Sequence, residues 1–420
     1  ERSSPYLVVK HSTFPLDEPH AGDPSYDARH AIPCAKVLGG PRGRRLAFRP
    51  SSVVNTGAMS FGSLSSHAVQ AINRGVALAG AMQNTGEGGI APHHKHGGDI
   101  VWQIGTGYFG ARAPDGGFSM ERLKETLAAA PNVRAIEIKL SQGAKPGRGG
   151  VLPAAKITDE IAQIRGIPLG KDCISPPGHS AFRDVDSMLD FVEWVAQETG
   201  LPVGIKSAVG EERFWDELAT AMEPRDRGVD WVAVDGGEGG TGAAPLVFAD
   251  HVALPFKVGF SRVYRRFAQR GLTDDLAFIG SGRLGFPAES LFAMAMGCDL
   301  IYVAREAMLS IGCIQAQRCH TDRCPTGVAT QSPWLMRGLD PAVKSIRLAN
   351  YLITLRKELM WLTRACAEPH PALVGLDRFE LLNERFGGAS PREVFGYEAA
   401  WGGLGEARRA ELGAVLAGGG

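Results

Sequence analysis

Trp231-Val232-Ala233-Val234-Asp235-Gly236-Gly237-Glu238-Gly239-Gly240-Thr241-Gly242 decides the fold. A short apolar run followed at once by a glycine loop reads as a strand whose carboxyl end opens onto a ligand. The same arrangement recurs on both sides of it. Strands are predicted over Val53–Ala58, Ala81–Asn84, Arg134–Leu140, Asp172–Ile174, Pro202–Lys206, Trp231–Asp235, Ala277–Gly280 and Leu300–Val303. Helical stretches separate them. From Ser187 to Thr199, Met188, Leu189, Phe191, Val192, Val195 and Ala196 fall on one apolar face, and Pro287 to Gly297 is a second such stretch. Eight strands in series with intervening helices predict an α/β protein of the (β/α)8 TIM-barrel class rather than an open doubly wound sheet.

The barrel is expected over residues 51–331. Residues 1–50, rich in Pro, His, Asp and Arg, are expected to form an extended arm or cap, and residues 332–420 a helical C-terminal extension with a frayed glycine tail. Lys plus Arg and Asp plus Glu balance at 45 each, so no global field recruits nucleic acid or an anionic membrane, and an anion must be held locally. No signal peptide is evident and no apolar run is long enough to span a bilayer; the best, Ser290 to Ala304, is cut by Asp299. A cytoplasmic location is expected, with an anchor upstream of Glu1 left open.

The 54 glycines gather behind the predicted strands, in 84–89, 143–150, 236–242 and 280–283. One such loop is merely a turn; four at equivalent strand ends point to the active face of a barrel, where backbone N–H groups approach a phosphate or a flat ring. None carries the Gly-x-Gly-x-x-Gly spacing between strand and helix, so no nicotinamide-binding domain is expected. Glu87, amid glycines, should face a cavity. Lys139, Gln142, Lys145 and Arg148 follow the third predicted strand, and Lys206, closing an apolar one, should point into the barrel mouth.

Cys313-x5-Cys319-x4-Cys324-Pro325 is the sharpest signal. Crowded thiolates in a turn-rich segment, with proline after the last, suit an iron–sulfur cluster. Zinc prefers four ligands at shorter spacings. Three ligands favour a [3Fe-4S] cluster, an electron relay whose natural partner is a flavin in the barrel mouth. Cys34, Cys173, Cys298 and Cys366 are scattered and are expected to be small buried hydrophobes.

The segments 57–63 (GAMSFGS), 84–89 (NTGEGG), 141–147 (SQGAKPG), 174–177 (ISPP), 239–242 (GGTG) and 319–331 (CHTDRCPTGVATQ) resemble, in order, the FMN-binding synthase domain of glutamate synthases. The resemblance implies FMN, a three-iron cluster, and reduction of the 2-imino acid formed from 2-oxoglutarate and ammonia. It assigns Ser60, Lys206, Gly239, Gly240, Gly282 and Arg283 to FMN. Lys139 and Gln142 would lie near the flavin, Lys145 and Arg165 would hold substrate carboxylates, and Glu87 would stand beside the iminium. Cys313, Cys319 and Cys324 would carry the cluster.

Where the family loop usually reads Lys-Pro-Gly-Glu-Gly-Gly-Gln, residues 145–151 read KPGRGGV, with Arg148 and Val151 in place of the acid and the glutamine. The substrate therefore stays open among 2-oxoglutarate and related 2-oxo acids, with ammonia or an amine. A stand-alone branch of the family is expected, supplied with electrons by ferredoxin or a separate reductase and with ammonia by a glutaminase or other subunit. Two alternatives remain at this point. One is an FMN oxidoreductase of another small acid with His179 as base; the other is an electron-transfer subunit of a larger complex.

Overall fold

The computed structural model describes residues 6–23, 26–238, 244–245, 247–248, 251–383 and 387–418. Eight parallel strands close into a barrel: β1 (Val54–Thr56), β2 (Met82–Asn84), β3 (Asp99–Ile104), β4 (Val133–Lys139), β5 (Val203–Ala208), β6 (Trp231–Asp235), β7 (Ala277–Ser281) and β8 (Leu300–Val303). Closure runs from β8 back to β1, with Ile301 opposite Val54 and Val303 opposite Thr56. The (β/α)8 expectation is met.

Seven of the predicted strands coincide with barrel strands and one does not. Cys173–Ile174 pairs antiparallel with Val151–Leu152 in a two-stranded flap outside the barrel. The missing strand is β3, whose apolar run is broken by Gln103 and preceded by two glycines. Gln103 is nevertheless buried, because its amide is satisfied inside the barrel. Lys139 therefore ends the fourth strand, and the loop behind it follows that strand, not the third.

The connecting helices start and stop on local chemistry. Ser65 accepts from the N–H of Ala68 to open helix Ser66–Ala79, and Gly80 closes it at φ +66°. Asp184 caps Val185–Thr199, whose buried face contains the six apolar residues expected from the sequence. Pro287 begins Pro287–Ala295 at the position where a missing N–H costs nothing. No helix among the described residues is long and apolar enough to cross a membrane.

The chain before and after the barrel meets on its outer side. Tyr6–Val9 pairs antiparallel with Phe379–Leu382, which also pairs with Gly388–Ala389, so the C-terminal region holds short strands as well as helices. The long helix Pro341–Ala365 packs on Ser66–Ala79. Arg356 is fully buried between them and donates to Ser52 Oγ (2.8 Å), Arg29 O (2.8 Å) and Ala79 O (2.7 Å), tying the long helix to the entry of β1. At Gly75 the two helices touch so closely that a Cβ would stand 2.9 Å from Leu348 and from Ser345 O. Gly75→Ala should therefore destabilise by about 1–3 kcal/mol despite its gain in helix propensity, which urea unfolding would measure.

Candidate active site

The barrel lumen is polar at its centre. Glu137 on β4 is fully buried, and its Oε1 accepts from Asn84 Nδ2 and Gln103 Nε2, both at 2.8 Å. Oε2 accepts from Trp231 Nε1 (3.2 Å) and Tyr302 OH (3.4 Å). Donors from β2, β3, β6 and β8 thus converge on one acceptor-only group, and Gln103 and Tyr302 also line the cavity above. Glu137→Gln should cost about 3 kcal/mol or more, since its amide N–H groups would face donors. Chemical denaturation of the variant tests this, and a change within 1 kcal/mol would show that the network contributes little.

Above that layer, at the carboxyl ends of the strands, lies a cavity of about 280 Å³. Its wall brings together Ser60, Glu87, Lys139, Gln142, Lys145, Arg165, Lys206, Gly282 and Arg283, from segments far apart in the chain. Gly239 and Gly240 lie outside the described residues. Lys139 ends β4, and its ammonium lies 2.7 Å from Glu87 Oε1 and 2.8 Å from Gln142 Oε1. The Glu87 carboxylate is walled by backbone: a Cβ on Gly105 would meet Oε2 at 2.5 Å, and one on Gly150 would meet Oε1 at 2.7 Å. Burial pushes the Glu87 carboxyl upward, but the Lys139 ammonium, aided by Arg165 and Lys145, outweighs it and holds the group below its ordinary range.

Lys145 is buried, with no hydrogen bond or ion pair to a described residue. Burial lowers its pKa against the opposing pull of Glu87. Arg165 is buried over the Phe109 ring, 4.9 Å from its centroid, and donates through Nη2 to Phe61 O (2.9 Å), while its Nε finds no partner. Three cations therefore surround one carboxylate. This excess charge can receive an anion.

Across the mouth, Lys206 pairs with Asp235 at 3.3 Å. Asp235 also accepts from Gly143 N–H and Ser281 Oγ, each at 3.0 Å, which pins the glycine loop after β4 to the ends of β6 and β7. Burial would lower the Lys206 pKa, but Asp235, then Glu137 and Glu87, raise it above its usual value. Behind β7, Gly282 at φ +150° and Arg283 at φ +54° turn the chain through conformations unusual for side-chain-bearing residues, and both line the cavity. His179 is not part of this wall. It stacks on Phe182, and its ring nitrogens lie 3.2 Å from Tyr108 OH and 2.9 Å from Lys139 O. Burial holds its pKa down to about 4.

The cysteine segment closes another side of the cavity through Cys319 and His320. All seven cysteines are free, and the four scattered ones are buried as expected. Burial raises the Cys319 pKa, and the charges of Cys324 and Cys313 raise it further. Burial also pushes Cys324 up, yet hydrogen bonds from the backbone of Ala329, Thr326 and Val328 and from the Thr326 hydroxyl bring it below the ordinary thiol value. No group of three or more His, Cys, Asp or Glu among the described residues could hold a metal ion. Lys156, fully buried, donates to Ser63 O (2.8 Å), Cys319 O (2.9 Å) and Ala329 O (3.3 Å).

Residues 45–367 match the conserved region in glutamate synthase. The chain belongs to the glutamate synthase family. Among its relatives, the glutamate synthase large subunit-like protein YerD of Bacillus subtilis is 40% identical over 326 residues, covering 77% of this chain and 62% of that protein. The archaeal glutamate synthase [NADPH] of Methanocaldococcus jannaschii is 36% identical over 300 residues, 70% of this chain and 55% of that protein. This glutamate synthase family member thus aligns with rather more than half of each. A glycine-to-alanine mutant of the active chimera of (S)-mandelate dehydrogenase is 12% identical with a TM-score of 0.54, covering 89% of this chain and 87% of that one, a likeness of fold.

Reading the sequence missed Glu137, Asp235, Tyr302 and Lys156. Asp235 carried a usable signal, since it closes an apolar strand just as Lys206 does. Lys156 carried none: it follows Pro153-Ala154-Ala155 in a short 3-10 turn.

Proposed function

We propose that this protein is an FMN- and iron–sulfur-dependent oxidoreductase that reduces a 2-imino acid formed from a 2-oxo acid, 2-oxoglutarate or a relative, and ammonia or an amine. The observation that carries the reading is Glu87, held ionised at the cavity wall and surrounded by Lys139, Lys145 and Arg165.

The residues present fit both groups. The bare backbone at Gly282, where a Cβ would stand 2.8 Å from Phe256, and the adjoining Arg283 offer a cradle for a phosphate behind β7, with Ser60 and Lys206 on the same wall. Cys313, Cys319 and Cys324 would hold a [3Fe-4S] cluster, and the N–H donors around Cys324 suit a ligating thiolate. Bound, FMN would supply a hydride and the cluster would supply electrons.

Lys145 and Arg165 bind the carboxylates of the 2-oxo acid, and desolvation strengthens those pairs. Glu87 presents negative charge to the iminium carbon–nitrogen bond, stabilising the cationic form that accepts a hydride. Lys139 and Gln142 orient Glu87. Val151, 43% exposed on the flap, lines the cavity where the substrate's distal end would reach, whereas Arg148, its guanidinium 5.8 Å from the Phe248 ring centroid, is not part of that wall. Ferredoxin or a separate reductase would supply electrons, and a glutaminase or other subunit ammonia.

The test is anaerobic incubation of reconstituted protein with a panel of 2-oxo acids, ammonia or methylamine, and a chemical reductant, followed by amino-acid analysis. Formation of the corresponding amino acid supports the reading. No product across the panel, with flavin and cluster both bound, would overturn it. The alternative of His179 as a base gains nothing, because its nitrogens are taken by Tyr108 and Lys139 and it does not line the cavity.

A further inference from the structure

Among the described residues, Lys156 is the buried lysine of this region that neither the sequence motifs nor the proposed chemistry uses. It lies at the wall where the cysteine segment closes the cavity, alongside Cys319, His320 and Ala329. Its three acceptors come from three places: Ser63 in the loop behind β1, Cys319 at the start of the cysteine turn, and Ala329 at its end. Three carbonyl acceptors consume all three N–H bonds of an ammonium, whereas a neutral amine has only two. Burial lowers the Lys156 pKa to about 8, against the opposing pull of Asp322, Cys319 and Cys324, and the nearby Arg165 lowers it further. The Asp322 carboxylate is itself engaged by Thr330 Oγ1 (3.2 Å) and the Gln331 N–H (2.7 Å), so it does not pair with Lys156 directly.

Ordinary packing does not require a charge here. An apolar side chain of this length would fill the same space, and burying an ammonium is costly unless something draws on the charge. We propose that Lys156 is a positioning residue for electron transfer, bracketing the cysteine turn against the cavity wall and setting the reduction potential of the cluster that the turn holds. This rests on the proposed cluster. One-electron reduction adds a negative charge among the three sulfurs. A fixed cation in contact with Cys319 O, screened from solvent, stabilises the reduced form more than the oxidised one. The same bracket joins the turn to Ser63, whose hydroxyl accepts from Ser60 at 3.0 Å, so the potential is set beside the residues proposed to meet FMN.

The experiment is a dithionite titration of reconstituted holoprotein, followed by the electron paramagnetic resonance signal of the oxidised cluster, for wild type, Lys156→Met, Lys156→Gln and Lys156→Arg. The neutral variants should shift the cluster's one-electron equilibrium at least tenfold toward the oxidised form, a fall in midpoint of about 59 mV. Lys156→Arg, which keeps the charge, should stay much closer to wild type. A normal signal with an unchanged midpoint in either neutral variant overturns the proposal. So does a folded, cluster-free protein from both, which would assign Lys156 to holding the turn alone. Wild-type protein that never shows the signal removes the cluster itself, and this inference with it, which is a different and recognisable result.

Discussion

Glu87→Gln should lower the rate of amino-acid formation by about 10²- to 10³-fold, the scale seen when one preorganised electrostatic partner of a developing charge is removed. The substitution keeps an oxygen that can accept from Lys139 but takes away the negative charge facing the iminium. It also leaves Lys139, Lys145 and Arg165 without a counter-charge, so the cavity becomes more attractive to a carboxylate. The 2-oxo acid should accordingly bind as well as before or better, and the loss should fall on kcat rather than KM. Steady-state kinetics with the best 2-oxo acid of the panel measure both, and a rise in KM at unchanged kcat would mean that Glu87 binds substrate rather than stabilising the reacting cation. The pH dependence has a definite sign. Because the folded-state pKa of Glu87 is depressed, its ion pairs contribute stability that is fully present above the unfolded glutamate value of about 4.3 and is lost as pH falls through the lower folded value. An acid limb in kcat arising from Glu87 should therefore lie below that of a free glutamate.

Cys324→Ala should abolish the cluster outright. Three thiolates are the whole proposed donor set, and Cys324 has its sulfur held ready by the backbone of Ala329, Thr326 and Val328. The reconstituted variant should lose the brown absorbance and the paramagnetic signal while keeping the yellow flavin, and turnover driven through the cluster should disappear. Because cluster ligation is coupled to folding, the melting temperature should fall as well. Cys298→Ala is the control: that thiol is also buried but sits beside Asp299 just before β8, outside the cysteine segment, and its loss should leave both colours intact at a stability cost of about 1 kcal/mol. If Cys324→Ala retains the cluster signal, the assignment of the three cysteines is wrong.

Much of the barrel was legible because parallel strands buried on both faces are mostly apolar, as in Trp231–Val234 and Leu300–Val303, and because glycine marks the carboxyl ends of several of them. Asp99–Ile104 escaped because Gln103 makes it look solvent-facing, and only the carboxylate of Glu137, its register partner on the neighbouring strand, explains why an amide is stable there. The converse error, taking Asp172–Ile174 for a barrel strand, arose because two apolar residues in a flap look the same as two in a core.

At the site, local chemistry determined which residues were available: a carboxylate among glycines, lysines at strand ends, three thiols within twelve residues, and the membership of the glutamate synthase family that those motifs carry. Only the closed barrel decided that Glu87, Lys139, Lys145 and Arg165 share one cavity, that Asp235 rather than solvent answers Lys206, and that Lys156 stands between the cavity and the cysteine turn. The reason is that residue type and backbone propensity act over a few positions, whereas the desolvation and Coulomb terms that turn a lysine or a glutamate into a working group depend on what the fold sets against it from elsewhere in the chain.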